Sequence, residues 1–294
     1  MIHDVIVVGG SYAGLSATLQ LARARKSVLV IDAGRRRNRF TAHAHGFLGH
    51  DGWEPGAIAA KAREQVLAYP TVRFVADEAT GAAATADGFT VTLAGGETST
   101  GRRIVLAPGV EDTLPDVPGL AERWGKGVYN CPYCDGYERG GGPLGVLAVG
   151  ELSMHQAMLI PEWGPTTLFL NGAFEPTAEQ MQQLAARGVR VEPVPVSHLV
   201  DAASVVLADG RVVALAGLFT AGRTRPNGTL AHDLGCMLEE GPTGPFIVTD
   251  AMKQTSVAGV FAGGDAARPA GSVALAVGDG AMAGIATHRS LLMG

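Results

Sequence analysis

An apolar run from Asp4 to Val8 stops at Gly9-Gly10-Ser11-Tyr12-Ala13-Gly14, and this junction constrains the chain more than any other feature. A helical stretch from Leu15 to Arg25 follows, and a second apolar run, Ser27 to Asp32, ends in an acid. Strand, glycine turn, helix and strand in that order predict two parallel strands joined by a crossover helix. The turn needs backbone that side chains would obstruct: Gly9 permits the tight bend, and Gly14 lets the helix pack close to the strand.

The same junction is built for a dinucleotide. A helix N-terminus presents unpaired N–H groups to a pyrophosphate, and Asp32, 18 residues beyond Gly14, stands where an acid accepts hydrogen bonds from the adenosine ribose. Ser11 replaces the middle glycine of the usual fingerprint, adding a small side chain that can itself donate a hydrogen bond. The basic run Arg35-Arg36-Arg37 with Arg39 follows the acid, and reads equally as a solvated loop or as a phosphate contact.

The strand and helix alternation recurs. A helix is expected from Pro55 to Tyr69, and short strands at 72–76, 89–93 and 103–106. Past Pro108-Gly109, the segment Leu114-Pro115-Asp116-Val117-Pro118-Gly119 has the composition of a linker. Beyond it come a strand at Leu144–Val149, a helix at Ser153–Trp163, a strand at Thr166–Leu170 and a helix at Thr177–Arg187. A second proline and glycine cluster, Glu240-Gly241-Pro242-Thr243-Gly244-Pro245, reads as another linker, and the last helix, Ser272 to Leu292, as a return to the first sheet. The fold class expected is α/β with two Rossmann-like domains. One is discontinuous, over 1–112 and 245–294, and the other is inserted at 113–244.

Composition removes several classes of function. With 23 basic and 28 acidic residues and a net charge of −5, the chain lacks the basic stripe that a nucleic-acid partner requires. No apolar stretch is long enough to span a bilayer, and no signal-peptide pattern opens the sequence, so a cytoplasmic protein without a membrane partner is expected. Three cysteines are too few for a secreted disulfide scaffold. Two of them form Cys131-Pro132-Tyr133-Cys134-Asp135-Gly136; the third, Cys236, is assigned to buried packing.

A C-x-x-C pair can close to a disulfide, and the adjacent Asp135 carboxyl can move protons during exchange. The alternative, half of a zinc site, lacks a second Cys or His pair, so no metal is expected. Cys131, Cys134 and Asp135 are therefore the candidate catalytic residues.

The order of motifs resembles the low-molecular-weight thioredoxin reductases: a glycine fingerprint, C-x-x-C-D-G in the inserted region, then Thr255-Ser256-Val257-Ala258-Gly259-Val260-Phe261-Ala262-Gly263-Gly264-Asp265. The resemblance implies an FAD-binding domain interrupted by the dithiol-bearing one, and a homodimer. It implies FAD contacts from Gly9, Ser11, Ala13, Gly14, Asp32 and Ala33, from the loop residues Arg37, Asn38 and His45, and from the turn at Ala107 and Gly109. Pro108 departs from the family's threonine in that turn. Asp265 would bind the ribityl chain, while Ser272 and Val273 would offer backbone N–H groups to the flavin's pyrimidine edge, where a helix N-terminus stabilises the negative charge of the reduced ring. It also implies that Cys134 faces the flavin and that Cys131 exchanges with the substrate.

A reductase of that kind needs a second glycine fingerprint and basic residues for the 2′-phosphate of NADPH. The corresponding turn reads Ala148-Val149-Gly150-Glu151-Leu152-Ser153, and from Glu151 to Ala186 there is no lysine or arginine, so a phosphate would meet an acidic surface. NADH, or a base placed elsewhere, remains an alternative. The eroded turn, His45-Gly46-Phe47-Leu48-Gly49 and the Cys-Pro-Tyr-Cys-Asp-Gly-Tyr-Glu run resemble the oxidases that close disulfides in gliotoxin, holomycin and romidepsin. That resemblance implies a small-molecule dithiol as substrate, with electrons passing through FAD to O2 and hydrogen peroxide formed. Two other readings stay open: a disulfide reductase fed by NADPH or another donor such as ferredoxin, and a redox-sensing flavoprotein without catalysis.

Overall fold

The computed structural model describes residues 2–293, and the chain divides into two compact units. Of the described residues, the first holds 2–39, 47–111 and 224–293; the second holds 40–46 and 112–223. Each carries its own sheet, the second's all parallel and the first's parallel except for two antiparallel strands at one edge, giving the expected mixed α/β architecture with two Rossmann-like sheets.

In the first unit the strand Ile2–Val8 lies between Val28–Ile31 and Thr98–Leu106, parallel to both, and Val72–Val75 extends the sheet beyond Val28–Ile31. Val260–Ala262 returns to pair in parallel with Thr98–Leu106, so the end of the chain completes a sheet that its beginning started. Val5 to Val8 and Val28 to Ile31 are buried without interruption, as strands covered on both faces must be. The first helix, Tyr12–Arg23, packs against the last, Val273–Ser290, through Ala17, Leu21, Ala22, Ala283 and Ala286.

Two elements differ from the sequence reading. Ala79–Thr85 is a strand, paired antiparallel with Gly88–Leu93, although its alanines carry no β-branched signal; the turn at Ala86-Asp87 recruits it. Glu240 to Pro245 is not a linker but the turn of a hairpin, Leu238–Gly241 against Gly244–Ile247, within the first unit. The second unit accordingly ends at Arg223, where the sequence placed the boundary after residue 244. Proline and glycine suit a linker and a tight turn equally well, so composition cannot separate the two.

The second unit's sheet runs Arg190–Glu192, Thr166–Phe169, Leu144–Leu147, Gly217–Phe219, Val128–Tyr129, all parallel. A three-stranded antiparallel sheet, Val196–Val200, Ser204–Leu207 and Val212–Val213, accompanies it. The helix that follows Leu144–Leu147 is short, Ser153–Leu159, and tightens into a 3-10 turn where Pro161 enters. The helix Ala178–Ala186 opens with a capping box between Thr177 and Gln180.

Candidate active site

In the second unit the strand Val128–Tyr129 leads directly into the C-x-x-C segment. The Tyr129 carbonyl accepts the Thr220 N–H at 2.9 Å, the last rung of the sheet. Cys131 is the extended residue before a single helical turn, Pro132–Asp135, whose first position suits a proline because no N–H is needed there. This turn folds Cys134 back toward Cys131, and the two are joined as a disulfide with Cα atoms 5.3 Å apart. Tyr133, between them, stands edge-on to Trp163 with ring centres 5.3 Å apart.

Asp135 sits beside this disulfide in a setting that changes its chemistry. Burial pushes its carboxyl up to about 6, with Arg139 pulling it down, Glu138 pushing it up and His45 pulling it down. Arg139 donates from Nε to the Asp135 carbonyl at 3.2 Å and lies over the Tyr129 ring. A cavity of about 450 Å³ has Asp135, Glu138, His45, His43, Lys126 and Tyr129 in its wall, and His45 Nε2 lies 3.4 Å from Glu138 Oε1. A carboxyl that titrates near neutrality, opening on protonatable groups, can accept and release the protons of thiol exchange. His45, expected among the flavin contacts, belongs to the second unit and lies beside Glu138. Glu138, Arg139 and Tyr129 were not foreseen, although the first two follow the motif within one further turn.

The first unit gathers most of the expected flavin residues. Gly9 has φ +98°, and a Cβ there would strike the Ala107 carbonyl; one on Gly14 would strike the carbonyl of Gly9. The Gly10 N–H donates to Asp32 Oδ1 at 3.0 Å, so the acid closing the second strand reaches the glycine turn, and Ala33 is exposed after it. Ser11 precedes the first helix without capping it, so its hydroxyl does not compete for the leading N–H groups. Ala13, Ala107 and Ala276 pack together beneath Tyr12, whose hydroxyl donates to the Pro55 carbonyl at 3.0 Å and accepts from Asn38 Nδ2 at 3.0 Å. Arg37 Nη1 pairs with Asp265 Oδ2 at 3.1 Å, both about a quarter exposed, bringing the arginine loop to the closing motif. Gly109, at φ +69°, turns the chain after Pro108, whose carbonyl accepts from Asn227. Ser272 caps the last helix by accepting the Leu275 N–H, and Val273 is its first residue. Nearby, Arg36 Nε is buried without a partner among the described residues, a donor suited to an anionic ligand. Tyr12 was not singled out in the sequence, since an aromatic inside a glycine turn carries no signal of its own.

These features suit FAD: an open helix N-terminus for pyrophosphate, an acid at the end of the second strand for ribose, and a second helix N-terminus at Val273. Among the described residues no cluster of His, Cys, Asp and Glu could hold a metal ion, and no helix is long and apolar enough to cross a membrane.

Two sheets of this kind with a neighbouring C-x-x-C disulfide define a flavin-dependent disulfide oxidoreductase. The sequence pattern of the pyridine nucleotide-disulphide oxidoreductases matches residues 3–280, and the chain belongs to that family, whose cofactor is FAD. It is 36% identical to a thioredoxin reductase, tcpT, of Claviceps purpurea, over 99% of this chain and 95% of that one. Among solved structures, an oxidoreductase from Agrobacterium tumefaciens is 56% identical with a TM-score of 0.97, covering 100% of this chain and 99% of its own. The structure of HlmI is 38% identical with a TM-score of 0.92, covering 99% and 93%. The chain is thus a flavoprotein thiol-disulfide oxidoreductase of thioredoxin reductase type with a redox-active disulfide, in a family that is typically dimeric.

Proposed function

We propose that this protein is an FAD-dependent dithiol oxidase that closes a disulfide within a small-molecule dithiol and passes the electrons to O2, yielding hydrogen peroxide. The observation that carries this reading is the turn between Leu147 and Ser153. Val149 donates its N–H to Ser153 Oγ at 3.0 Å, Val149 and Leu152 are exposed, and Asn171 at the end of the next strand turns its Oδ1 onto the Val196 N–H. The groups that would receive a nicotinamide nucleotide are occupied by the chain itself, and no lysine or arginine lies between Glu151 and Ala186. The similarity to HlmI supports the same reading.

In the proposed reaction a substrate thiolate attacks Cys131 Sγ, and the Cys131–Cys134 bond breaks with Cys134 leaving as thiolate. The second substrate thiolate attacks the substrate sulfur of that mixed disulfide and displaces Cys131, so the substrate is oxidised by two electrons and the enzyme reduced by two. The Asp135 carboxylate takes the thiol protons, and the His45 and Glu138 pair in the same cavity wall returns them to solvent. Bound FAD supplies the two-electron acceptor that restores the disulfide and the donor to O2. Gly9, Ser11, Ala13 and Gly14 would take its pyrophosphate, Asp32 and Ala33 its ribose, and Arg37, Asn38, Ala107, Gly109 and Asp265 its middle portion. Ser272 and Val273 would face its pyrimidine edge. The active form is a homodimer with no nucleic-acid partner.

Anaerobic titration of the FAD absorbance tests the reading. Bleaching by a small dithiol, with peroxide formed on admitting air, is the expected result. Rapid bleaching by NADPH would replace the oxidase with a conventional reductase, and no bleaching by either would leave a redox sensor.

A further inference from the structure

The C-x-x-C segment is anchored at both ends, and its leading anchor is a side chain with no part in the chemistry described above. The parallel ladder stops at the Tyr129 carbonyl, which leaves the next carbonyl, Asn130, without a sheet partner immediately before Cys131. Gln156 takes it, donating from Nε2 to the Asn130 carbonyl at 2.9 Å. Gln156 is 7% exposed on the helix Ser153–Leu159, the helix that opens at the self-filled turn, and its Oε1 is buried without a partner among the described residues. A buried amide with one end unpaired is retained against a standing penalty, which points to the end that is paired. At the trailing end Arg139 donates to the Asp135 carbonyl.

We infer that Gln156 is a positioning residue for the dithiol: by fixing the Asn130 carbonyl it holds Cys131 within bonding reach of Cys134 and so favours the closed disulfide over the open dithiol. Two thiols held together have a high effective concentration toward each other, and loosening one of them weakens the bond they form. The helix that a nucleotide would otherwise occupy serves instead as the dithiol's support. The inference rests on the disulfide being redox-active and not on the direction of electron flow.

The test is the equilibrium of the holoenzyme disulfide against graded ratios of reduced and oxidised dithiothreitol without oxygen, read by alkylation of the freed thiols. Methionine fills the volume of glutamine without a donor, so Gln156→Met is expected to raise the equilibrium constant for reduction about tenfold, a shift of about 30 mV toward easier reduction. Gln156→Glu at pH 8, isosteric but without an N–H, is expected to shift the same way. Thermal unfolding of each variant confirms that it is folded. If Gln156→Met, folded, titrates with the unaltered protein, glutamine serves only to fill space and the inference fails. It also fails if Gln156→Glu alone shifts, since a charge and not a lost tether would then be responsible. Because no turnover or external acceptor enters this measurement, and the bound flavin is the same in every variant, the difference between variants is independent of whether the enzyme is an oxidase or a reductase.

Discussion

The two units contain the same local construction, a strand, a turn and a helix, at Val8–Tyr12 and at Leu147–Ser153, and they pair its groups differently. In the first, Ser11 leaves the helix N-terminus without a side-chain cap, and the strand-ending acid, Asp32, accepts an N–H of the glycine turn itself, at Gly10. In the second, the turn's N–H is taken by the first residue of the helix, and the strand-ending residue bonds away from the turn. Ser153 accepts the Val149 N–H, and Asn171, the counterpart of the strand-ending acid, supports Val196. Shared topology therefore sets where a nucleotide could sit, and the side chains at the turn and at the end of the next strand set what it would meet there.

That contrast can be sharpened by separating what each unit contributes. The largest effect is expected from Cys131→Ser or Cys134→Ser, each lowering dithiol oxidation on the order of 10³-fold or more while the FAD spectrum is kept. A variant that retained normal oxidation would show that the second unit's chemistry lies elsewhere. Next comes Asp135→Asn, expected to slow turnover about 10²-fold. The Asp135 carboxyl is raised from its ordinary range to about 6, so below that pH it holds its proton and cannot accept one from a thiol. Activity of the unaltered enzyme should fall as pH drops through about 6, and the asparagine variant should lose that limb of the profile; a limb that persisted would assign it to another group.

Smaller effects test the two turns against each other. Asp32→Ala should weaken FAD retention by roughly 2 kcal/mol, the worth of a charge-assisted hydrogen bond, as read by flavin release on dilution. Ser153→Ala should leave FAD retention unchanged and lower stability by about 1–2 kcal/mol in urea unfolding, because the Val149 N–H loses its acceptor. If Ser153→Ala instead conferred nucleotide binding, the second turn would be merely blocked and not rebuilt. The smallest effect is expected from Cys236→Ala. Its thiol, pushed up by burial and bonded to Thr255, should contribute neither turnover nor a titratable thiol in the native dithiol count.

Much of this was legible in the residues. Val5 to Val8, Gly9, Gly14 and Asp32 carry their structural reasons locally, since apolar runs and obligatory glycines have few alternatives. What was not legible depends on partners distant in sequence. The alanine strand at 79–85 exists because Gly88–Leu93 pairs with it. His45 lies beside Glu138, 93 positions on, so a loop histidine gave no hint of its neighbour. Gln156 looks like a surface residue until the sheet is seen to end one carbonyl short of the cysteine.

The self-filled turn also limits how the protein could change. A glycine at Ser153 would leave the Val149 N–H without an acceptor, an arginine at Asn171 would orphan the Val196 N–H, and each loss precedes any gain in nucleotide affinity. Under the proposed function, regaining a nicotinamide donor would therefore call for changes at several of these positions together, a ratchet in sequence space and the same barrier for an engineer rewiring the electron supply.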